Sequence, residues 1–176
     1  MRILFARNDP IPPFRHDVLT LFGKYGMRLG LAVDLWAQRK EPGASQEGRW
    51  LAGKTFACGK SRFGFLNQAI RFFFFLFIFF INLSDYHVIQ VRDRPITACF
   101  WLLAAKVKRK PFFYWMSYPD DIGYWMLSDH CTGFKKYYYF AKGCLMHGLL
   151  RWIVFPLSDH AFVQSDKLKS MISDRY

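Results

Sequence analysis

The feature that most constrains the fold is a β-α-β pattern within residues 86–121. Residues 87–91 form a short β-branched run, and residues 95–108 form an apolar run of helical length. Residues 111–116 are a second strand candidate that is rich in aromatic side chains. Strands that are apolar on both faces are typical of a parallel sheet covered by helices. The pattern therefore predicts an α/β domain.

Polar residues follow both predicted strands of this unit. Arg92 and Asp93 come directly after the first strand, and residues 117–121 (Ser-Tyr-Pro-Asp-Asp) form the loop after the second. Ligands of open parallel sheets bind beyond the carboxyl ends of the strands. These are the two places where chemistry is expected.

The rest of the chain continues the alternation of strands and helices. The glycine Gly26 is expected to end the first helix, and Ser165 is expected to cap the last one. Further strands are predicted at residues 1–6, 28–35, about 55–58 and 160–163. Further helices are predicted at 16–25, 67–83, 132–155 and 166–173, and a loose loop is predicted over 37–64. The helix over 132–155 is expected to be broken by Gly143 and Gly148 and stopped by Pro156. This order predicts one Rossmann-like α/β domain whose mainly parallel sheet is flanked by helices, with the strands at 1–6, 87–91 and 111–116 side by side near its centre.

Length and charge limit the classes of protein that the chain fits. A chain of 176 residues has room for one domain with a substantial core. There are 25 Lys and Arg against 13 Asp and Glu, a formal net charge of +12. This surplus implies an anionic partner, which could be a phosphate-bearing substrate, acidic lipid or nucleic acid.

The cysteines and the N-terminus point to a cytosolic chain. Cys58, Cys99, Cys131 and Cys144 are widely spaced and form no CxxC pair, so neither a disulfide framework nor a metal site is expected. The first residues lack an apolar stretch of signal-peptide length and are better interpreted as a strand.

The segment RFFFFLFIFF, residues 71–80, has only one residue that is not apolar. It is too short to span a bilayer, which takes about 20 apolar residues. Because all its faces are apolar, two interpretations stay open: a deeply buried crossover helix, or a helix whose outer face enters a membrane surface.

Three stretches together resemble the N-terminal, acceptor-side domain of a GT-B glycosyltransferase of the large retaining family four. They are residues 86–121, which match that family's unit of strand, Arg-Asp, helix, Lys-Pro, strand and loop acid, the long helix over 132–155, and LSDHAFVQSDKLKSMI near the end. The resemblance runs from the first strand to Tyr176. It implies transfer of a sugar from a nucleotide-sugar donor to a glycan or lipid-linked acceptor, as in the synthesis of cell-envelope polysaccharides, without a separate cofactor.

The chain departs from the family pattern in three ways. The first loop lacks the glycine pair often found there, and the loop at 117–121 lacks the family's His-Glu type pair. The C-terminal domain that binds the donor in the family, with glutamates spaced eight apart, is absent, since Glu41 and Glu47 lie in a loop at the wrong spacing. The chain is therefore expected to be a truncated half with little transferase activity alone.

The resemblance assigns candidate roles to residues in the predicted loops. Asp120 and Asp121 are the catalytic candidates, since carboxylates can hold sugar hydroxyls or act as a base toward one. Alternatively, they form a solvated turn. Arg92 either binds an anionic group of the acceptor or pairs with Asp93 at the start of the helix. The substrate-binding candidates are Asn8, Asp9, Arg92, Asp93, Ser117 and Ser165.

A membrane surface is the second expected partner. Aromatic rings and cations both sit well at such a surface, and the chain combines them in two segments. The candidate membrane contacts are Phe73, Phe77, Phe80, Lys135, Lys136 and Trp152. The protein is thus expected to be cytoplasmic and peripheral at the inner face of the membrane.

Two alternative functions are also compatible with the sequence. The chain could be a non-catalytic binding module that partners a separately encoded catalytic chain. It could also be a basic nucleic-acid-binding protein, although it carries no signature of an RNA or DNA module, and no nucleic-acid partner is expected.

Overall fold

A computed structural model describes residues 1–7, 10–11, 15–37, 39–40, 50–57 and 83–176. The chain divides into two compact units. The first comprises Met1–Gln90 and Ala104–Pro111, and the second comprises Val91–Leu103 and Phe112–Tyr176. The predicted helix at 67–83 lies almost wholly outside the described residues.

Six of the described strands form one open sheet, in the spatial order Thr55–Ala57 (β5), Ala32–Ala37 (β3), Arg2–Ala6 (β1), Val88–Arg92 (β6), Phe112–Met116 (β7) and His160–Val163 (β8). Two further short strands, Pro10–Ile11 (β2) and Arg39–Lys40 (β4), pair with each other. The pairings of β1 with β3, β3 with β5 and β7 with β8 are parallel. The predicted Rossmann-like α/β fold is confirmed, including the neighbouring positions of β1, β6 and β7.

In the first unit, a buried carboxylate holds the polar ends of several elements together. Asp34, in β3, accepts hydrogen bonds from the Arg2 guanidinium at 2.7 and 3.0 Å and from the Tyr86 hydroxyl at 2.7 Å. Its other oxygen accepts from the Lys54 backbone N–H at 2.7 Å. These bonds offset the cost of burying a charge inside a strand.

The first helix and the strand after it differ from the prediction. The helix, α1, is α-helical over His16–Val18 and π-helical over Leu19–Gly26. Gly26 does not end it; the left-handed residue is Gly30, with φ of 69°, a conformation that glycine adopts without steric cost. Because the helical path continues past Gly26, strand β3 begins at Ala32 and not at residue 28.

Four further described helices follow β6 along the chain. Helix α2 spans Pro95–Val107, α3 spans Asp120–Asp129, and α4 spans Gly133–Leu149. Helix α4 continues as a π-helical segment, Leu150–Val154, and a last α-helical turn, Phe155–Leu157. The closing helix α5 spans Asp166–Arg175, and the Ser165 hydroxyl accepts from the Leu168 N–H at 3.2 Å, as predicted for a cap.

The predicted break of the long helix at its glycines is wrong. Gly143 and Gly148 both lie inside α4. A methyl group at Gly143 would lie 2.6 Å from the ring of Trp125 in α3. Glycine at this position therefore allows the close approach of α3 to α4 instead of interrupting the helix.

The prediction of a loop at Asp120 and Asp121 is also wrong. Both residues lie in the first turn of α3. Carboxylates in a first turn interact favourably with the exposed N–H groups of the helix, which explains why an acidic pair begins a helix here. Because successive residues of a helix are about 100° apart, the two side chains lie on different faces of α3.

Candidate functional site

All described residues of the candidate site belong to the second unit, where β6 and β7 end. The Asp93 N–H donates to the Trp115 carbonyl at 2.8 Å, and Asp93 Oδ1 accepts from the Ser117 N–H at 2.7 Å. These two bonds join the carboxyl ends of the strands. Asp93 and Arg94 both have φ of 55°, a left-handed conformation that costs non-glycine residues about 1–3 kcal/mol each.

Arg92, a substrate-binding candidate, is buried beneath this edge. Its Nε donates to Ser117 Oγ at 2.7 Å and lies 3.6 Å from Asp93 Oδ2. Its guanidinium carbon lies 4.4 Å from the centre of the Trp115 ring. These contacts fit a side chain that positions Asp93 and Ser117.

Asp120 begins α3 on the accessible side of this edge. Its carboxylate makes no hydrogen bond or ion pair with any described residue, and the side chain is only partly buried. Partial burial raises the pKa of this carboxyl above its usual value. The cations Arg94 and Lys142 oppose the shift, whereas the carboxylates Asp93 and Asp121 add to it. An accessible carboxylate without a partner is a group that can accept hydrogen bonds from a ligand hydroxyl.

Asp121 has the opposite environment. It is fully buried, and its Oδ2 lies 3.0 Å from His147 Nδ1 in α4 and 3.9 Å from Arg175 Nε in α5. The His147 ring contacts the rings of Trp125 and Tyr176, with centroids 5.5 and 5.1 Å apart. We call Asp121, His147, Arg175 and Tyr176 the buried cluster after its buried carboxylate; the other three residues are partly exposed. Burial and the nearby Asp121 carboxylate raise the pKa of the Tyr176 hydroxyl well above its usual value.

Three tyrosines and one lysine, from α3 and α4, lie on the accessible side of α3. Tyr124 is one helical turn after Asp120, and its ring is stacked on Tyr139 with centroids 6.5 Å apart. Lys142 Nζ lies 4.3 Å from the centre of the Tyr124 ring and 5.7 Å from that of Tyr138. We call Asp120, Tyr124, Tyr138 and Lys142 the open face.

The remaining predicted site residues lie elsewhere. Ser165 uses its hydroxyl to cap α5. Lys135, Lys136 and Trp152 are exposed on α4 and the segment that continues it. Asn8, Asp9, Phe73, Phe77 and Phe80 lie outside the described residues.

Four residues near the acidic pair were not singled out from the sequence as site residues: Arg94, Tyr124, Lys142 and His147. The spacing of Asp120 and Tyr124, four apart, would have placed them on one helix face had α3 been recognised. Tyr138 and Lys142 are also four apart, on the helix that is predicted over 132–155. The pairing of His147 with Asp121 joins residues 26 positions apart, and no local pattern signals it.

Metal-binding clusters and helices able to span a membrane are absent from the described part of the chain. It contains no group of three or more His, Cys, Asp or Glu side chains arranged to hold a metal ion. It also contains no helix with the length and apolar character needed to cross a bilayer.

Comparison with known proteins shows which solved structures have a similar fold. No protein-family model and no curated protein matches the chain. Similar solved structures include the apo form of lipopolysaccharide outer core galactosyltransferase WaaB, at TM-score 0.53 and 14% identity, and a ugt transferase from Siraitia grosvenorii in complex with UDP, at TM-score 0.56 and 13% identity. Each match covers 99% of this chain, which spans 42% of the first structure and 47% of the second. The chain therefore has a glycosyltransferase-like fold and less than half the length of these two proteins.

Proposed function

We propose that this chain is the acceptor-binding half of a glycosyltransferase that transfers a sugar from a nucleotide-sugar donor to a glycan or lipid-linked acceptor. The observation that carries the proposal is Asp120. It lies where β6 and β7 end, on a glycosyltransferase-like sheet, and its carboxylate has no partner among the described residues. Ligands of such sheets bind at this edge, and a carboxylate is well suited to a sugar hydroxyl.

The role of the second predicted catalytic residue differs in this proposal. The Oδ2 of Asp121 is engaged by His147 inside the protein, and the side chain has no exposed surface. We assign the contact with the acceptor to Asp120 and a supporting role to Asp121. The strained residues Asp93 and Arg94 lie where β6 and β7 end and are the further candidates for contact with the acceptor.

The donor is proposed to bind mainly through protein outside these 176 residues. One similar structure contains UDP, and both similar proteins are more than twice as long as this chain. The chain alone should then bind sugars but bind nucleotide sugars weakly. Titration calorimetry with UDP- and GDP-sugars, beside a panel of hexoses and oligosaccharides followed by NMR, tests this division. A micromolar dissociation constant for a nucleotide sugar would contradict it.

The acceptor is proposed to be reached at a membrane surface. Apolar side chains at helical spacing are exposed along α4 and the segment that continues it: Phe134, Tyr137, Leu145 and Trp152. We call them the aromatic stripe. Phe134 is 84% exposed and Trp152 is 72% exposed, and Lys135 and Lys136 are exposed beside the first turn. Exposed aromatic rings beside cations favour an interface with anionic lipid.

Sedimentation with vesicles tests this part of the proposal. The chain should sediment with vesicles that contain an anionic lipid and stay in solution with zwitterionic vesicles. Burying one aromatic side chain stabilises binding by about 1.5–3 kcal/mol, so replacing Phe134, Tyr137 and Trp152 by Ser should abolish sedimentation. Leu103→Ser, which removes an exposed apolar side chain on α2, is the control. If the triple variant sediments like the wild type, the aromatic stripe does not bind membranes.

A further inference from the structure

The open face includes a cation, Lys142, that binding of a neutral sugar does not require. Lys142 makes contacts with the rings of Tyr124 and Tyr138 but no ion pair with any residue in the described part of the chain. Contact with two ring faces holds the ammonium group in one place and satisfies it only partly. A cation placed in this way is available to an anionic ligand.

The lysine lies near the carboxylate that is proposed to bind the acceptor. Tyr124 connects them, because it follows Asp120 by one turn of α3 and its ring contacts Lys142. Arg94 is exposed, makes no ion pair with a described residue, and directly follows Asp93, whose carboxylate accepts from the Ser117 N–H three residues before α3 begins. The described contacts thus connect Lys142 to the turn of α3 that carries Asp120, and Arg94 is a second cation at the adjoining strand end.

The tyrosine rings supply the apolar part of the surface. Tyr138 is 51% exposed, and Tyr124 is partly exposed. The faces of aromatic rings carry partial negative charge and attract the C–H groups on the apolar face of a sugar ring. The surface therefore combines stacking for a sugar, a carboxylate for its hydroxyls and cations for an acidic substituent.

We propose that the open face binds an acceptor sugar that bears an anionic group, with Lys142 pairing with that group and Asp120 accepting from a hydroxyl. This inference rests on the proposed function and specifies the class of its acceptor. The anionic group is a phosphate or a carboxylate, since both accept charge-assisted hydrogen bonds from an ammonium group. It would come from a sugar phosphate or from a uronic acid.

The test is an NMR titration of the full chain with matched sugars: a neutral hexose, its 6-phosphate and its uronate, in the gluco, galacto and manno series, with inorganic phosphate alone. At least one anionic sugar should bind about 10- to 100-fold more tightly than its neutral counterpart, as expected for a charged hydrogen bond. Lys142→Met should remove this difference, and Lys142→Arg should retain most of it. Lys169→Met, which removes an exposed lysine on α5, is the matched control, and circular dichroism checks the fold of each variant.

Three of the other outcomes overturn a defined statement, and a fourth identifies the source of the charge. Equal affinity for neutral and anionic sugars would overturn the inference and leave the acceptor-binding function intact. Inorganic phosphate that binds as tightly as the sugar phosphate would show an anion site without sugar recognition, which also overturns it. The absence of binding to any sugar would overturn the proposed function together with the inference. A uronate that binds tightly while the phosphate does not, or the reverse, supports the inference and identifies the source of the charge.

Discussion

Two neighbouring carboxylates on α3 have opposite environments. Asp121 belongs to the buried cluster: its side chain is fully buried, and its Oδ2 lies next to His147 and Arg175. Asp120 belongs to the open face and has no partner among the described residues. The sequence presents them as one acidic pair, but a helix separates them by about 100° and gives them different tasks.

This difference indicates that the second unit uses different residues for stability and for binding. The Oδ2 of Asp121 is held inside the fold by His147 and Arg175, although its Oδ1 makes no hydrogen bond, whereas neither oxygen of the Asp120 carboxylate has a hydrogen-bond partner among the described residues. An accessible carboxylate left without such a partner is available to a ligand. The buried cluster connects α3, α4 and α5 and thereby fixes the orientation of α3. That orientation determines where Asp120 points.

The largest expected effect is on the buried cluster. Asp121→Asn removes the charge that His147 and Arg175 share and should lower the free energy of unfolding by about 1.5–3 kcal/mol, the range for a hydrogen bond to a charged group. Urea denaturation followed by circular dichroism measures it. Asp174→Asn, at an exposed position of α5, is the control. A loss equal to that of the control would mean that the cluster contributes nothing to stability.

Two glycines of α4, Gly143 and Gly148, test how closely α3 packs against α4. Gly143→Ala places a methyl group 2.6 Å from the Trp125 ring and should destabilise the fold by about 1–3 kcal/mol. Gly148→Ala meets no atom within 4 Å and should stabilise it by about 0.5–1 kcal/mol, the helix propensity of alanine. Thermal denaturation of both variants measures this opposition. Stabilisation by both substitutions would contradict the close approach of α3 and α4.

The smallest effect on stability is expected at Asp120. Burial raises its pKa in the folded state, so the folded state binds the proton more tightly than the unfolded state does. The free energy of unfolding of the wild type therefore falls as the pH rises from the pKa of Asp120 in the unfolded state to its pKa in the folded state. This loss of stability persists at neutral pH. Asp120→Asn should stabilise the chain at pH 7 by about 0.5 kcal/mol or less, a typical size for a change near the surface. The gain should vanish below about pH 3.9, the usual pKa of an unfolded aspartate.

Measurement of unfolding free energies between pH 3 and pH 8 checks this sign. A variant that is less stable than the wild type at pH 7 would show that Asp120 has a stabilising partner.

The sequence was sufficient to predict the fold because the signal is local. Apolar runs of strand length at 87–91 and 111–116, separated by a helical run, predict two adjacent parallel strands, and β6 and β7 confirm them within one residue at each end. The cap at Ser165 is equally local, since donor and acceptor lie three residues apart.

The candidate site was predicted only in part, for two physical reasons. Helix α3 has a weak apolar periodicity and begins directly after Pro119, so the acidic pair resembles a loop. The roles of its residues then depend on contacts with α4 and α5 that are distant in sequence, such as His147 with Asp121 and Lys142 with Tyr124. Composition indicated a basic, aromatic helix but not which of its side chains would face Asp120.

The central claim is that Asp120 binds the acceptor while Asp121 supports the fold. The most direct test is an NMR titration of the wild type, Asp120→Asn and Asp121→Asn with the tightest-binding sugar, at a temperature where all three are folded. Asp120→Asn should weaken binding about 10- to 100-fold, the value of a charged hydrogen bond, and leave the fold intact. Asp121→Asn should bind within about threefold of the wild type despite its lower stability. Unchanged binding by a folded Asp120→Asn, together with lost binding by a folded Asp121→Asn, would contradict the account.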